Sequence, residues 1–189
     1  MSSHHIVREK QEPALLVLGL DNFPEEQLGQ LLEWSPTVIT TLHTAEKLNS
    51  YGIKIDWIVT NDESQVLQSD IKLVPAGKQT LVKAALQYLI AQNYPAVNII
   101  TDELALTEYA GFSDKISLVI FNCGKRIFPV TPGFSKWKPT EETIEVISPF
   151  NHLDYTGLKN IGEKLFKTTG DGFFTLQFDE PFLFISEEL

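Results

Sequence analysis

Cysteine, methionine and histidine are all scarce: one, one and four in 189 residues. Cys123 alone excludes an intramolecular disulfide and fits a reducing compartment, so a cytoplasmic location is expected. Basic residues are also few, 15 Lys and Arg against 25 Asp and Glu, for a formal charge of −10. Such a chain repels nucleic-acid phosphates, and no nucleic-acid partner is expected. No run of about 18 apolar residues occurs, so no membrane span is expected either. The polar residues 1–13 lack the apolar stretch of a signal peptide and read as a flexible N-terminus. His4 and His5 read as part of that terminus rather than as metal ligands.

What is present is enough apolar residue, 43%, for a globular chain of one large or two small domains. The first two-thirds alternates short apolar runs with helical patterns. Strands are predicted at Ala14–Leu20, Thr37–Thr41, Asp56–Thr60, Ile71–Val74, Ala96–Thr101 and Ile116–Asn122. Helices are predicted between them at Glu25–Trp34, Ala45–Ser50 with Thr44 as cap, Gln79–Gln92 and Glu103–Ala110. Alternation of this kind implies a parallel, layered sheet with right-handed crossovers. After Cys123 helical periodicity fades. Short β-prone runs, Arg126–Val130, Thr143–Ser148, Phe173–Phe178 and Phe182–Ile185, are separated by turn residues such as Pro132-Gly133 and Pro181. The expected architecture is an α/β domain over 14–123 followed by a small antiparallel β-sandwich over 124–189.

Ligands of open parallel sheets bind beyond the carboxyl ends of the strands. Three loops occupy such positions: Asp21-Asn22-Phe23-Pro24, Leu42-His43-Thr44 and Thr60-Asn61-Asp62-Glu63-Ser64. The last is the most polar. Its adjacent carboxylates suit a hard cation such as Mg²⁺, or simply a solvated acidic turn. Lys78 and Lys83 flank a helix start and read as phosphate contacts or as solvated lysines. Thr80 reads as a helix cap, or as a phosphate ligand at the same terminus. His43 and the pair His152 and Asp154 read as loop residues in preference to acid–base groups. Cys123, following an apolar strand, reads as inert packing. Aromatics crowd the β part, and Trp137 is a candidate exposed anchor there.

The order of segments from about 14 to 187 resembles the thiamine pyrophosphokinases. Tyr51-Gly52-Ile53-Lys54-Ile55-Asp56, leading into Asn61-Asp62-Glu63-Ser64, resembles the family's strand into Gly-Asp-Phe-Asp-Ser. Lys78-Gln79-Thr80-Leu81-Val82-Lys83-Ala84-Ala85-Leu86 is similar to its Thr-Asp-Phe-Glu-Lys-Ala-Leu helix. Thr156-Gly157-Leu158-Lys159 resembles Thr-x-Gly-Leu-Lys, and the segments Gly172–Leu176 and Asp179–Leu183 resemble the last two strands. The resemblance implies ATP-dependent diphosphoryl transfer to thiamine with Mg²⁺, a homodimer, and thiamine or a related small molecule as ligand. The candidate nucleotide contacts for that chemistry are Asn22, Lys78, Thr80 and Lys83. The resemblance places metal ligands at Asn61 and Glu63. Asp62, between them, is the further candidate ligand, and Asp62 with Glu63 are the candidate catalytic carboxylates if substituted ligands take over the metal.

The departures are concentrated where the chemistry would be. Asn61 and Glu63 stand at the family's aspartates, and Mg²⁺ tolerates little geometric error. Leu81 stands at an aspartate of the helix, and Leu42-His43-Thr44-Ala45 stands at Asp-Gly-Gly-Ala. The Gly-Gly-Arg-x-Asp-His signature is unrecognisable between Thr101 and Gly111, and Ser-Thr-Ser-Asn is absent from Glu163 to Thr169. Phosphoryl transfer rests on positioning and charge, so several such losses together predict weak or no transfer, with no cofactor as one outcome. Two alternatives stand beside this reading. One is an active kinase with substituted metal ligands. The other is a non-catalytic dimeric binding or interaction protein.

Overall fold

A computed structural model describes residues 12–62 and 71–189. The His4 and His5 reading and the assignments to Glu63 and Ser64 lie outside the described residues. The chain divides into two compact units, the first ending at Leu118 and the second running Val119–Leu189.

The first unit runs β1 (Ala14–Val17), α1 (Glu25–Leu32), β2 (Val38–Thr41), α2 (Leu42–Ser50), β3 (Trp57–Thr60), β4 (Lys72–Pro75), α3 (Leu81–Ala91), β5 (Ala96–Ile100) and α4 (Leu106–Tyr109). All five strands are parallel, in the order β5-β1-β2-β3-β4. β1 and β2 are buried along their whole length, which is why they read as unbroken apolar or β-branched runs. α3 turns Ala84, Ala85, Leu86 and Leu89 inward, and Tyr88 packs on Trp57 at 4.6 Å between ring centroids. Glu25 and Glu26 occupy the first turn of α1, where the helix dipole favours carboxylates. Among the described residues, no helix is long and apolar enough to cross a membrane.

Thr44 does not cap α2. The helix begins at Leu42, directly after β2, and Thr44 lies within it, donating to the Leu18 carbonyl at 3.1 Å. Serine and threonine can satisfy a neighbouring backbone group as readily as a helix end, so the residue type alone did not fix its position.

β6 (Ser117–Asn122) is the strand at which the chain passes into the second unit. It forms an antiparallel hairpin with β7 (Lys125–Val130). Cys123 is part of that turn, exposed and at φ 48°, and is not packing as its apolar neighbours suggested. Tight hairpins need positive φ at their central residues, which puts Cys123 in the turn.

The remaining strands are β8 (Phe134–Lys138), β9 (Thr143–Val146), β10 (Leu153–Thr156), β11 (Leu158–Asn160), β12 (Leu165–Thr168), β13 (Gly172–Phe178) and β14 (Leu183–Glu188). They form two antiparallel layers, β11-β12-β9-β14-β7-β6 and β10-β13-β8. Val146, Phe166 and Ile185 of the first layer pack with Phe174, Leu176 and Phe178 of the second. The chain changes layer between β10 and β11 at Gly157, φ 71°, where a Cβ would lie 2.7 Å from the Phe173 carbonyl. Only glycine fits that corner.

Four of these strands, β8, β10, β11 and β12, are not predicted from the sequence. They are three to five residues long and carry lysines, aspartate and threonine. β8 turns Lys136 and Lys138 inward, opposite to the side expected of charged residues. Both reach Glu187, which is 2% exposed. Trp137 faces outward instead, 53% exposed and paired across the strands with Phe173, 69% exposed.

Candidate functional site

In the first unit the chain goes outward from β1 to β4, then returns to place β5 on the other side of β1. The loops after β1 and β5 therefore diverge and leave a crevice, the usual ligand position of an open parallel sheet. The crevice measures about 540 Å³. It is formed by the loop after β1, the first turns of α2 and α3, and the segment from Thr101 to Tyr109.

Side-chain hydroxyls fix the backbone around it. Thr40 donates to the Val17 carbonyl at 2.8 Å, and Thr44 holds the next carbonyl, Leu18. Thr101 Oγ1 donates to the Glu103 carbonyl at 2.7 Å and accepts from the Glu103 amide at 3.2 Å, a closed turn at the end of β5. Tyr109 is fully buried beside it, and burial pushes its phenol up to about 12. The ring is thus a neutral wall of the crevice at physiological pH.

Asp102 crosses from the β5 loop to the β1 loop. Its Oδ2 accepts from the Asp21 amide at 3.0 Å. Its Oδ1 accepts from the Asn22 amide at 2.9 Å and from Asn22 Nδ2 at 3.3 Å. Gly19 makes room for this carboxylate, since a Cβ there would fall 2.2 Å from Asp102 Oδ2. Lys47 donates to Asp21 Oδ1 at 2.8 Å, and that hydrogen bond holds the Asp21 carboxyl below its ordinary range. At the start of α3, the Thr80 hydroxyl donates to Glu108 and accepts from the Lys83 amide at 3.4 Å. Lys83 Nζ lies 3.6 Å from the same Glu108 carboxylate.

Of the residues expected to contact nucleotide, Asn22, Thr80 and Lys83 thus come to or beside the crevice, each engaged by a carboxylate. Thr80 is the N-cap of α3. Lys78 is exposed and does not line the crevice. Asn61 and Asp62 follow β3 as exposed residues, with Asp62 held in a turn by the Thr60 hydroxyl at 2.9 Å. Neither lines the crevice. His43 does, as an exposed residue of the first turn of α2. His152 and Asp154 lie 3.6 Å apart, both exposed, in the second unit.

Sequence reasoning missed Lys47, Asp102, Glu103 and Glu108. One signal was available: Asp102-Glu103 follows a buried apolar run, as the three chosen loops do. Among the described residues, no group of three or more His, Cys, Asp or Glu side chains is disposed to hold a metal ion. Asn61 and Asp62 stand side by side after β3, and Glu63, the third residue assigned to the metal, lies outside the described residues.

No protein-family model matches the sequence, and no curated protein does. Solved structures match over nearly the whole chain. Thiamine pyrophosphokinase from Bacillus subtilis superposes with a TM-score of 0.65 and 16% identity, covering 93% of this chain and 98% of that one. The enzyme from Geobacillus thermodenitrificans gives 0.68 and 12% identity, over 93% and 97%. The fold is that of the thiamine pyrophosphokinases. The one from Candida albicans matches equally, at 0.66 and 11% identity, over 94% and 90%. An α/β unit followed by a β-sandwich is thus shared with the thiamine pyrophosphokinases over 93–94% of this chain. At such identities it is the architecture that is shared, and function is argued from the site.

Proposed function

We propose that this chain is a divergent thiamine pyrophosphokinase homologue. Its transfer of a diphosphoryl group from ATP to thiamine is weak or lost, and its crevice takes a small cationic molecule, thiamine or a relative of it. One observation carries the reading: four carboxylates, Asp21, Asp102, Glu103 and Glu108, line the crevice with a single lysine, Lys47. That lysine already serves Asp21, and Lys83 nearby already serves Glu108. Diphosphoryl transfer needs cations directed at the phosphates. A crevice whose charge is negative and whose cations are engaged works against a polyphosphate and suits a ligand of the opposite sign. A homodimer belongs to the same reading, with the outward Trp137 and Phe173 pair as its contact surface.

The test is a ligand panel of ATP with Mg²⁺, thiamine and thiamine phosphates, read by thermal shift and calorimetry. Stabilisation by thiamine without ATP, and no thiamine diphosphate formed from the two, is the expected result. Robust formation of thiamine diphosphate by the purified protein would overturn the reading. Light scattering of the wild type and of Trp137→Ser tests the dimer.

A further inference from the structure

We propose that Asp102 is an internal stand-in for a phosphate. Its carboxylate fills the anion seat made by the Asp21 and Asn22 amides and so closes the first βα loop of the crevice to phosphorylated ligands. The inference rests on the reading of the crevice given above and adds the residue that enforces it.

Two successive backbone amides, with a side-chain amide beside them, form a concave donor set that suits an oxyanion. Here the three N–H donors converge on one carboxylate, at 3.0, 2.9 and 3.3 Å. The loop lies at the point where strand order reverses, the position at which sheets of this type receive phosphate groups. The carboxylate arrives from the opposite loop, 81 residues later in the chain than Asp21. Its approach depends on the missing side chain of Gly19. A competitor tethered within the same unit acts at an effective concentration of about millimolar or more, so a free phosphate starts at a disadvantage. Glu108 repeats the arrangement at the start of α3, where it takes the hydroxyl of Thr80 and the ammonium of Lys83.

The experiment uses the full chain, ¹⁵N-labelled, with inorganic pyrophosphate as probe and no metal. Wild type is expected to show no saturable binding. Asp102→Ala vacates the amides and is expected to bind pyrophosphate about tenfold more tightly or better, as fits one charge-assisted seat becoming available. The Asp21 and Asn22 amide resonances should shift with saturation. Glu103→Gln removes the same charge from the same crevice without vacating the seat, and its gain should be much smaller. Wild-type binding through those two amides, an absent gain in Asp102→Ala, or an equal gain in Glu103→Gln would each overturn the proposal. Where Asp102→Ala does not fold, Asp102→Ser keeps a small polar side chain, is too short to reach the amides, and vacates the seat. It should gain in the same direction, and no gain there counts equally against the proposal. Formation of thiamine diphosphate by the wild type removes the functional reading. An inactive wild type whose Asp102 variants gain nothing removes only this inference.

Discussion

The crevice of the first unit and the Glu187 cluster of the second invert one another. In the crevice, four carboxylates share one lining lysine; Asp21 and Glu103 are exposed, and Asp102 and Glu108 half-buried. In the sandwich, one carboxylate of β14 meets three cations: Arg126 and Lys136 at 2.8 and 2.7 Å, and Lys138 at 3.3 Å. The Glu187 side chain is 1% exposed, and the lysines reach it from the other layer. Burial is what separates the two. A buried carboxylate whose partners are removed becomes an uncompensated charge, so its pairs hold structure. The crevice carboxylates keep contact with solvent even where they are paired, so theirs shape recognition.

The largest effect should come from the buried side. Glu187→Gln leaves three cations facing a neutral amide and is expected to destabilise the protein by about 3 kcal/mol or more, read by urea denaturation. Burial alone would raise the Glu187 carboxyl, yet hydrogen bonds from Lys136 and Arg126 and the charge of Lys138 together hold it below its ordinary value. A carboxyl lowered in the folded state stabilises fully above its unfolded value of about 4.3 and loses that contribution as pH falls through the folded value. Stability of the wild type should therefore fall on acidification through that window. Glu187→Gln should flatten that part of the profile.

Gly19→Ala comes next. The new Cβ would meet Asp102 Oδ2 at 2.2 Å and the Asp102 amide nitrogen at 3.0 Å. The carboxylate must shift, at an expected cost of about 1–2 kcal/mol, with displaced Asp21 and Asn22 amide resonances. Unshifted amides would mean that Asp102 does not bind the loop in solution. Thr80→Ala should cost about 1 kcal/mol in thermal unfolding, because α3 loses its N-cap. Equal stability would show that Glu108 alone secures the helix start.

The parallel unit was legible because buried strands read as apolar runs and α3 repeats its small and apolar residues at helical spacing. The sandwich was legible only in its apolar strands. β8 was hidden because its inward residues, Lys136 and Lys138, are charged, and the partner that makes this tolerable lies about fifty positions later. The crevice was half legible. Asn22 and Thr80 could be placed by strand-end and helix-start logic. Asp102 could not, because its role depends on a space beside Gly19 that only the folded chain shows.

The smallest effect sharpens the comparison within the sandwich itself. Glu141 also meets two lysines, Lys159 at 2.7 Å and Lys167 at 2.9 Å, with a half-exposed side chain. Hydrogen bonds from those lysines bring its carboxyl down to about 2. By the same sign argument as for Glu187, any stability it adds would be lost as pH falls toward that value. Solvent screens the pair, so Glu141→Gln should leave the melting temperature unchanged. A carboxyl ¹³C titration should find the Glu141 group low at low salt and rising toward the ordinary range as salt is added. Glu141 and Glu187 each meet two or more cations at hydrogen-bond distance, and their burial is opposite. If Glu141→Gln destabilised the protein as much as Glu187→Gln, burial would not be the variable that divides structural from solvated charge in this protein.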